Sequence, residues 1–184
     1  FMPNAMFIDS FGASEAVGFG MSVMANGLET QTAKFAIGDN CKVFAEDGRE
    51  VVPGSGEPGF IARGGNIPLG YFKDKEKSDA TFKTVNGERY AIPGDWCTVE
   101  EDGTITLLGR GSVCINSAGE KIYPEEVEEV IKAIDGIRDA LVVGVPDEKW
   151  GNAVVAVVEG DEMDFEEMRG IIKKHLAGYK VPKQ

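Results

Sequence analysis

Apolar and polar positions change rhythm along this chain close to residue 109. Upstream, residues 32–37, 41–45 and 60–63 form short β-prone runs separated by clusters of glycine and aspartate, the pattern of strands and turns. EDGRE (46–50) and EEDGTI (100–105) set Asp-Gly pairs between such runs, which predicts hairpins. One short helix is predicted over 75–82. From residue 7 to about 108 the expectation is a small β-rich barrel or sandwich.

Downstream of Gly109 the spacing predicts a hairpin and then a helix. Pro124 suits a first helical turn, and Glu125 and Glu126 follow where the helix dipole favours anions. Val127, Val130, Ile131 and Ile134 repeat at helical spacing, and Asp135 with Gly136 ends the run. Residues 137–145 and 153–158 are Val-rich strands. Asp164 and Glu167 frame a capping box for a second helix, with Phe165, Met168, Ile172 and Leu176 as its apolar face. Residues from about 112 onward therefore predict a small α+β domain.

Charge then narrows the partners. A net charge of −12 leaves no basic surface for a nucleic acid, although a bound nucleotide needs only a few placed groups. Hydrophobic content of 42% with 27% charged residues is that of a folded domain. The apolar run AVVAVV (153–158) is too short to span a bilayer, and FMPNAMFIDS lacks the basic start of a signal peptide. Cys41, Cys97 and Cys114 are scattered and odd in number, which suits a reducing cytoplasm better than a disulfide framework or a zinc site. Both ends of the sequence read as cut, the first entering an apolar run without a polar lead and the last stopping where a new strand would begin.

Several short motifs carry candidate chemistry. GSGEPG (54–59) matches a dinucleotide-binding spacing but is followed by a strand, so its glycines cannot open the helix that the fingerprint requires. His175, the one histidine, sits at the edge of the last apolar stripe and is read as a surface residue. FGASE (11–15) places an aromatic ring, a glycine, a hydroxyl and a carboxylate within one stretch. It reads either as a turn before a helix capped by Ser14, or as a site where a ring meets a base and a carboxylate holds Mg2+. In PGDW (93–96), Asp95 is either a common turn aspartate or an acceptor for ribose hydroxyls. In GRGS (109–112), Arg110 is either a solvated loop cation or part of a hinge that touches an anionic or ribose-bearing ligand.

Taken in order, IDSFGASE, GEPGFIARGGNIPLGYFKD, GDW, GRGSVCINSAGEKIYPEEVEEVI and GYKVPK resemble the carboxylate-activating adenylate-forming family, and most closely its AMP-forming acyl-CoA synthetases. The resemblance covers nearly the whole chain. It implies an α+β chain in which residues 1–110 end a large adenylating domain with a barrel-like subdomain and residues 111–184 form a mobile C-terminal lid. It implies an enzyme that converts a fatty or related carboxylic acid to acyl-AMP with Mg-ATP and then passes the acyl group to coenzyme A. On that resemblance Phe11 would stack on adenine, Ser14 would contact phosphate, and Glu15 would bind Mg2+, with Asp9 and Gly12 completing the nucleotide motif. Asp95 and Arg110 would hold the ribose, Ser112 would be the hinge, and Gly119, Glu120 and Lys121 would face the pantetheine path.

The chain departs from the family pattern at three points. Ser112 stands where relatives carry Asp or Lys, and Asn116 where some have lysine. The phosphate loop and the C-terminal catalytic lysine lie outside the sequence, so the piece by itself is expected to be inactive. A carrier-protein acceptor, or a non-catalytic interaction module, are the competing readings.

Overall fold

A computed structural model of the chain describes residues 6–25 and 34–184. The chain divides into two compact units between Leu107 and Leu108. The part of the first predicted strand at residues 32 and 33 lies outside the described residues, as does the entry at residues 1–5.

In the first unit, β1 (Met6–Ala13) and β2 (Ala16–Ala25) form a long hairpin, followed by β3 (Lys34–Ile37), β4 (Cys41–Phe44) and β5 (Gly59–Arg63). A short helix α1 (Lys75–Thr81) leads into β6 (Phe82–Val85), β7 (Glu88–Ala91), β8 (Asp95–Val99) and β9 (Ile105–Arg110), the last crossing into the second unit. The strands form one sheet in the order β1-β2-β3-β9-β8-β5-β7-β6, with β4 on the other edge of β5. Residues from distant strands share one core, including Phe19, Phe35, Ile61, Cys97 and Ile105, so the sheet curls upon itself. Arg63 closes the curl, its Nη1 donating to the carbonyls of Gly18 (2.9 Å) and Asp39 (3.0 Å).

Local signals account for many boundaries. Asp74 caps α1 by accepting from the Lys77 N–H at 3.0 Å. Asn86 and Gly87, with φ of 52° and 85°, make the β6–β7 hairpin turn. Gly59, within the dinucleotide-like motif, opens β5 where a Cβ would lie 2.7 Å from the Phe44 carbonyl. The motif is thus a tight strand entry.

The second unit begins with a 3-10 turn (Gly111–Val113), a small hairpin of β10 (Ile115–Ser117) and β11 (Glu120–Ile122), and helix α2 (Pro124–Lys132). A long antiparallel ribbon follows, β12 (Ile137–Asp147) with β13 (Gly151–Gly160), and then helix α3 (Phe165–Ile172). Val127, Ile131, Val142, Val154 and Ile172 meet in one core. Asp164 caps α3, accepting from the N–H groups of Glu166 and Glu167. The predicted apolar face of α3 needs one correction, because Phe165 is 38% exposed and stacks near Arg169, while Ile171 packs on the core instead. A first-turn residue lies at the end of the buried line, so periodicity overextends there. The last residues run beside β13, with the Lys183 N–H donating to Val154 and the Ala156 N–H to Gln184. Lys180 secures that segment through its ion pair with Glu126 at the start of α2, at 2.6 Å and largely shielded from solvent.

The β10–β11 turn carries backbone strain. Ala118 and Gly119 have φ of 52° and 88°, and only the second is a glycine. Left-handed geometry costs an alanine about 1–2 kcal/mol, partly offset by the greater unfolded-state freedom of glycine. Ala118→Gly is expected to raise stability by about 0.5–1 kcal/mol, read as a higher denaturant midpoint at unchanged slope; a lower midpoint would contradict the strain.

Candidate functional site

The FGASE segment is the tip of the β1–β2 hairpin, so Ser14 caps no helix and a strand follows it. Register pairs Ala13 with Ala16 and slips at Gly12, leaving Ser14 and Glu15 as the turn. Asp9, Gly12 and Ser14 are exposed. Phe11 is half-buried, with its ring 5.3 Å from Phe19 and 5.7 Å from Phe35, so part of its surface is spent on the core. The carboxylate of Glu15 accepts a hydrogen bond from the Tyr71 hydroxyl.

Asp95 opens β8 directly after Pro93 and Gly94, as a turn-to-strand aspartate should. It is only 5% exposed, far more enclosed than a presented loop carboxylate. Its charge adds to burial in pushing the Cys97 thiol up to about 12.

In the second unit, Arg110 is exposed at the end of β9 and precedes the 3-10 turn that contains Ser112. Gly109 is buried with φ of 106°, and a Cβ there would lie 2.0 Å from the Glu125 carboxylate. That carboxylate, in the first turn of α2, therefore lies directly against the backbone ahead of Arg110.

Gly119, Glu120 and Lys121 are exposed at the tip of the β10–β11 hairpin. The Ala118 N–H donates to the Trp150 carbonyl at 2.7 Å, and the Asn152 side chain donates to the Asn116 carbonyl at 3.1 Å. Two lysines flank the ring of Trp150, whose backbone N–H donates to Asp147 Oδ1 at 2.9 Å. Lys149 and Lys183 place their ammonium groups 4.6 Å and 5.1 Å from the centre of the Trp150 ring. Burial first, and then repulsion from Arg169, Lys173 and Lys149, holds Lys183 below the usual lysine range. An anion placed there would relieve that repulsion. His175 is exposed, in keeping with a surface residue.

The model of the AMP-binding enzyme C-terminal domain matches residues 126–184. A medium/long-chain-fatty-acid–CoA/3-oxocholest-4-en-26-oate–CoA ligase of Mycobacterium marinum is 51% identical over 99% of this chain and 34% of its own length. The 3-oxocholest-4-en-26-oate–CoA ligase of Rhodococcus rhodochrous is 49% identical over 99% of the chain and 34% of its own. Among solved structures, ATP-bound MatB from Rhodopseudomonas palustris has a TM-score of 0.76 at 27% identity, over 96% of this chain and 35% of that one. Residues 126–184 thus match the AMP-binding enzyme C-terminal domain, and nearly the whole chain is similar to about a third of these acid–CoA ligases. The amide bond synthetase McbA from Marinactinospora thermotolerans shares its fold, with a TM-score of 0.79 at 24% identity over 96% of this chain and 37% of that one. The chain spans about a third of the length of the curated relatives it matches, 34% for the first two named above. Among the described residues no helix is long and apolar enough to cross a membrane.

Against that family background, the residues that motif reading passed over are Tyr71, Lys149, Trp150 and Lys183. Tyr71 lies inside the segment GEPGFIARGGNIPLGYFKD, whose order supports the resemblance, yet nothing in its spacing points to Glu15. The Lys149-Trp150 pair and the VPK near the end were legible only as separate fragments.

Two outcomes follow from this geometry. Gly109→Ala is expected to lower stability by roughly 2–4 kcal/mol, because it adds backbone strain and displaces a half-buried carboxylate; a wild-type denaturant midpoint would contradict the packing described. Cys97 should remain a protonated thiol in the native state through pH 9. Its raised ionisation removes stability only as pH climbs past the ordinary thiol range of about 8.5. Iodoacetamide labelling mapped by mass spectrometry should therefore modify Cys97 only after unfolding, and native labelling at pH 8 would contradict its burial.

Proposed function

We propose that the full-length protein carrying this chain is an AMP-forming acyl-CoA synthetase. It activates a carboxylic acid with ATP to acyl-AMP and pyrophosphate, then transfers the acyl group to the thiol of coenzyme A with release of AMP. The reading rests above all on 51% identity, sustained over 99% of the chain, with a medium/long-chain-fatty-acid and 3-oxocholestenoate CoA ligase. Its acid is accordingly a medium or long aliphatic chain, or a steroid side-chain carboxylate. Residues 1–110 close the large adenylating domain and residues 111–184 form the mobile lid, with Ser112 as the pivot. The three free cysteines suit the cytoplasm.

In this reading the exposed part of Phe11 meets adenine, with Asp9 and Gly12 beside it, and the Ser14 hydroxyl contacts phosphate. Asp95 accepts from the ribose hydroxyls, and Arg110 supports the ribose as a donor. Glu15 offers Mg2+ a hard carboxylate oxygen on an accessible turn, which suits an ion that keeps most of its shell as water and substrate phosphate. When bound, Mg2+ neutralises the triphosphate and eases the departure of pyrophosphate. Gly119, Glu120 and Lys121 line the pantetheine approach, while Trp150, Lys149 and Lys183 supply a flat ring and two cations for the phosphorylated end of coenzyme A.

Acid-dependent AMP release by the full-length protein tests the reading, with short, medium, long, aromatic and steroid side-chain acids, each with and without coenzyme A. Release that requires coenzyme A and one of the long aliphatic or steroid acids is the expected result. Requirement for a carrier protein with coenzyme A inert, or no release with any acid, would overturn it. Lys183→Gln should raise the KM for coenzyme A by about tenfold, the loss of one charge-assisted contact, and leave acid-dependent pyrophosphate exchange unchanged.

A further inference from the structure

A side chain from far along the sequence reaches the tip of the β1–β2 hairpin. Among the described residues, positive φ outside glycine occurs at Asn40, Lys73, Asn86 and Ala118. Ser14 and Glu15 therefore do not adopt the primed turn whose twist matches two flanking strands, and the register slips beside them at Gly12. A contact from far along the chain meets the turn there, where the Tyr71 hydroxyl donates to Oε1 of Glu15 across a separation of 56 residues.

Tyr71 is itself anchored on several sides. Its N–H donates to Oγ of Ser78 at 2.8 Å, and that hydroxyl donates to the Asp74 carbonyl at 2.6 Å. Asp74 is the cap of α1, so the phenol is referenced to the start of a helix. The Tyr71 ring lies 5.7 Å from the Phe82 ring, with Nζ of Lys77 4.2 Å from its centre on a cation–π contact. Gly70 lets the loop pass, since a Cβ there would stand 2.8 Å from Oγ of Ser78.

We infer that Tyr71 is a positioning residue for Glu15, its hydroxyl helping to fix the direction in which the carboxylate meets the Mg2+ that accompanies ATP. This rests on the ligase reading above. Partners that orient a metal-binding carboxylate are worth about 10–100-fold in metal affinity. The effect belongs to the first half-reaction, because coenzyme A attack on a finished adenylate needs no triphosphate cation.

The full-length protein and its Tyr71→Phe variant provide the test, since the substitution removes the hydroxyl and keeps the ring contacts. Mn2+ binding to the ATP complex, followed by electron paramagnetic resonance, is expected to weaken about tenfold. The Mg2+ concentration that half-saturates acid-dependent pyrophosphate exchange should rise by the same factor, while thioester formation from supplied acyl-AMP keeps its wild-type rate. Ser78→Ala retains the hydroxyl but frees its anchor, and a smaller shift in the same direction is expected. Wild-type Mn2+ affinity in Tyr71→Phe would overturn the inference and leave the ligase reading standing. Equal losses in both half-reactions would also overturn it, showing a purely structural residue. If the wild-type protein neither binds Mn2+ with ATP nor exchanges pyrophosphate, the ligase reading falls and the inference with it.

Discussion

The contact on which the first unit most depends is the closure made by Arg63. Its guanidinium, at the end of β5, donates to the carbonyls of Gly18 and Asp39, and so pins the β1–β2 hairpin to the strand at the centre of the curl. A guanidinium is suited to this because it stays charged and presents several donors in fixed geometry. β5 is itself bordered by β4 on one edge and by β7 and β8 on the other. A strand with partners on both edges has little freedom to shift, and the hairpin inherits that rigidity. Glu15 likewise receives a long-range tie, from the Tyr71 hydroxyl.

The second unit solves a similar problem with different means. A small hairpin with a strained alanine at its turn is poorly specified alone. Its tip is fixed because Ala118 donates to the Trp150 carbonyl and Asn152 reaches the Asn116 carbonyl. The same segment of chain brings Lys149 to the tryptophan ring, and the last residues add Lys183 after Lys180 is secured by Glu126. A strongly acidic chain can therefore bring two lysines to one aromatic ring, which the net charge of −12 hides. Global charge says nothing about a single anion site.

Glutamates at the start of α2 serve two separate structural ends. Glu126 takes the ammonium of Lys180, and Glu125 lies against Gly109. From sequence alone both read simply as acidic residues favoured by the helix dipole. That reading is correct as far as it goes, yet the dipole contributes only a few tenths of a kcal/mol to about 1 kcal/mol at exposed positions. Tertiary contacts give each carboxylate its particular place.

What the sequence determined by itself was local. The Pro124 start of α2, the Asp164 cap of α3, the strand that follows the false dinucleotide motif, and the change of rhythm near Gly109 all rest on interactions a few residues apart. The order of the motifs also carried the family resemblance, because several ambiguous motifs together constrain the reading more than any one alone. Local reading went astray at Ser14, where a favourable cap residue sits in a hairpin turn, and at Phe165, where a helical stripe continues past the core. Only the tertiary structure joined Tyr71 to Glu15, placed Lys149 and Lys183 about Trp150, and buried Asp95. The physical reason is that hydrogen bonds within a turn or cap are written in neighbouring residues. Contacts across 56 positions arise from strand order and core packing, which no single short segment contains.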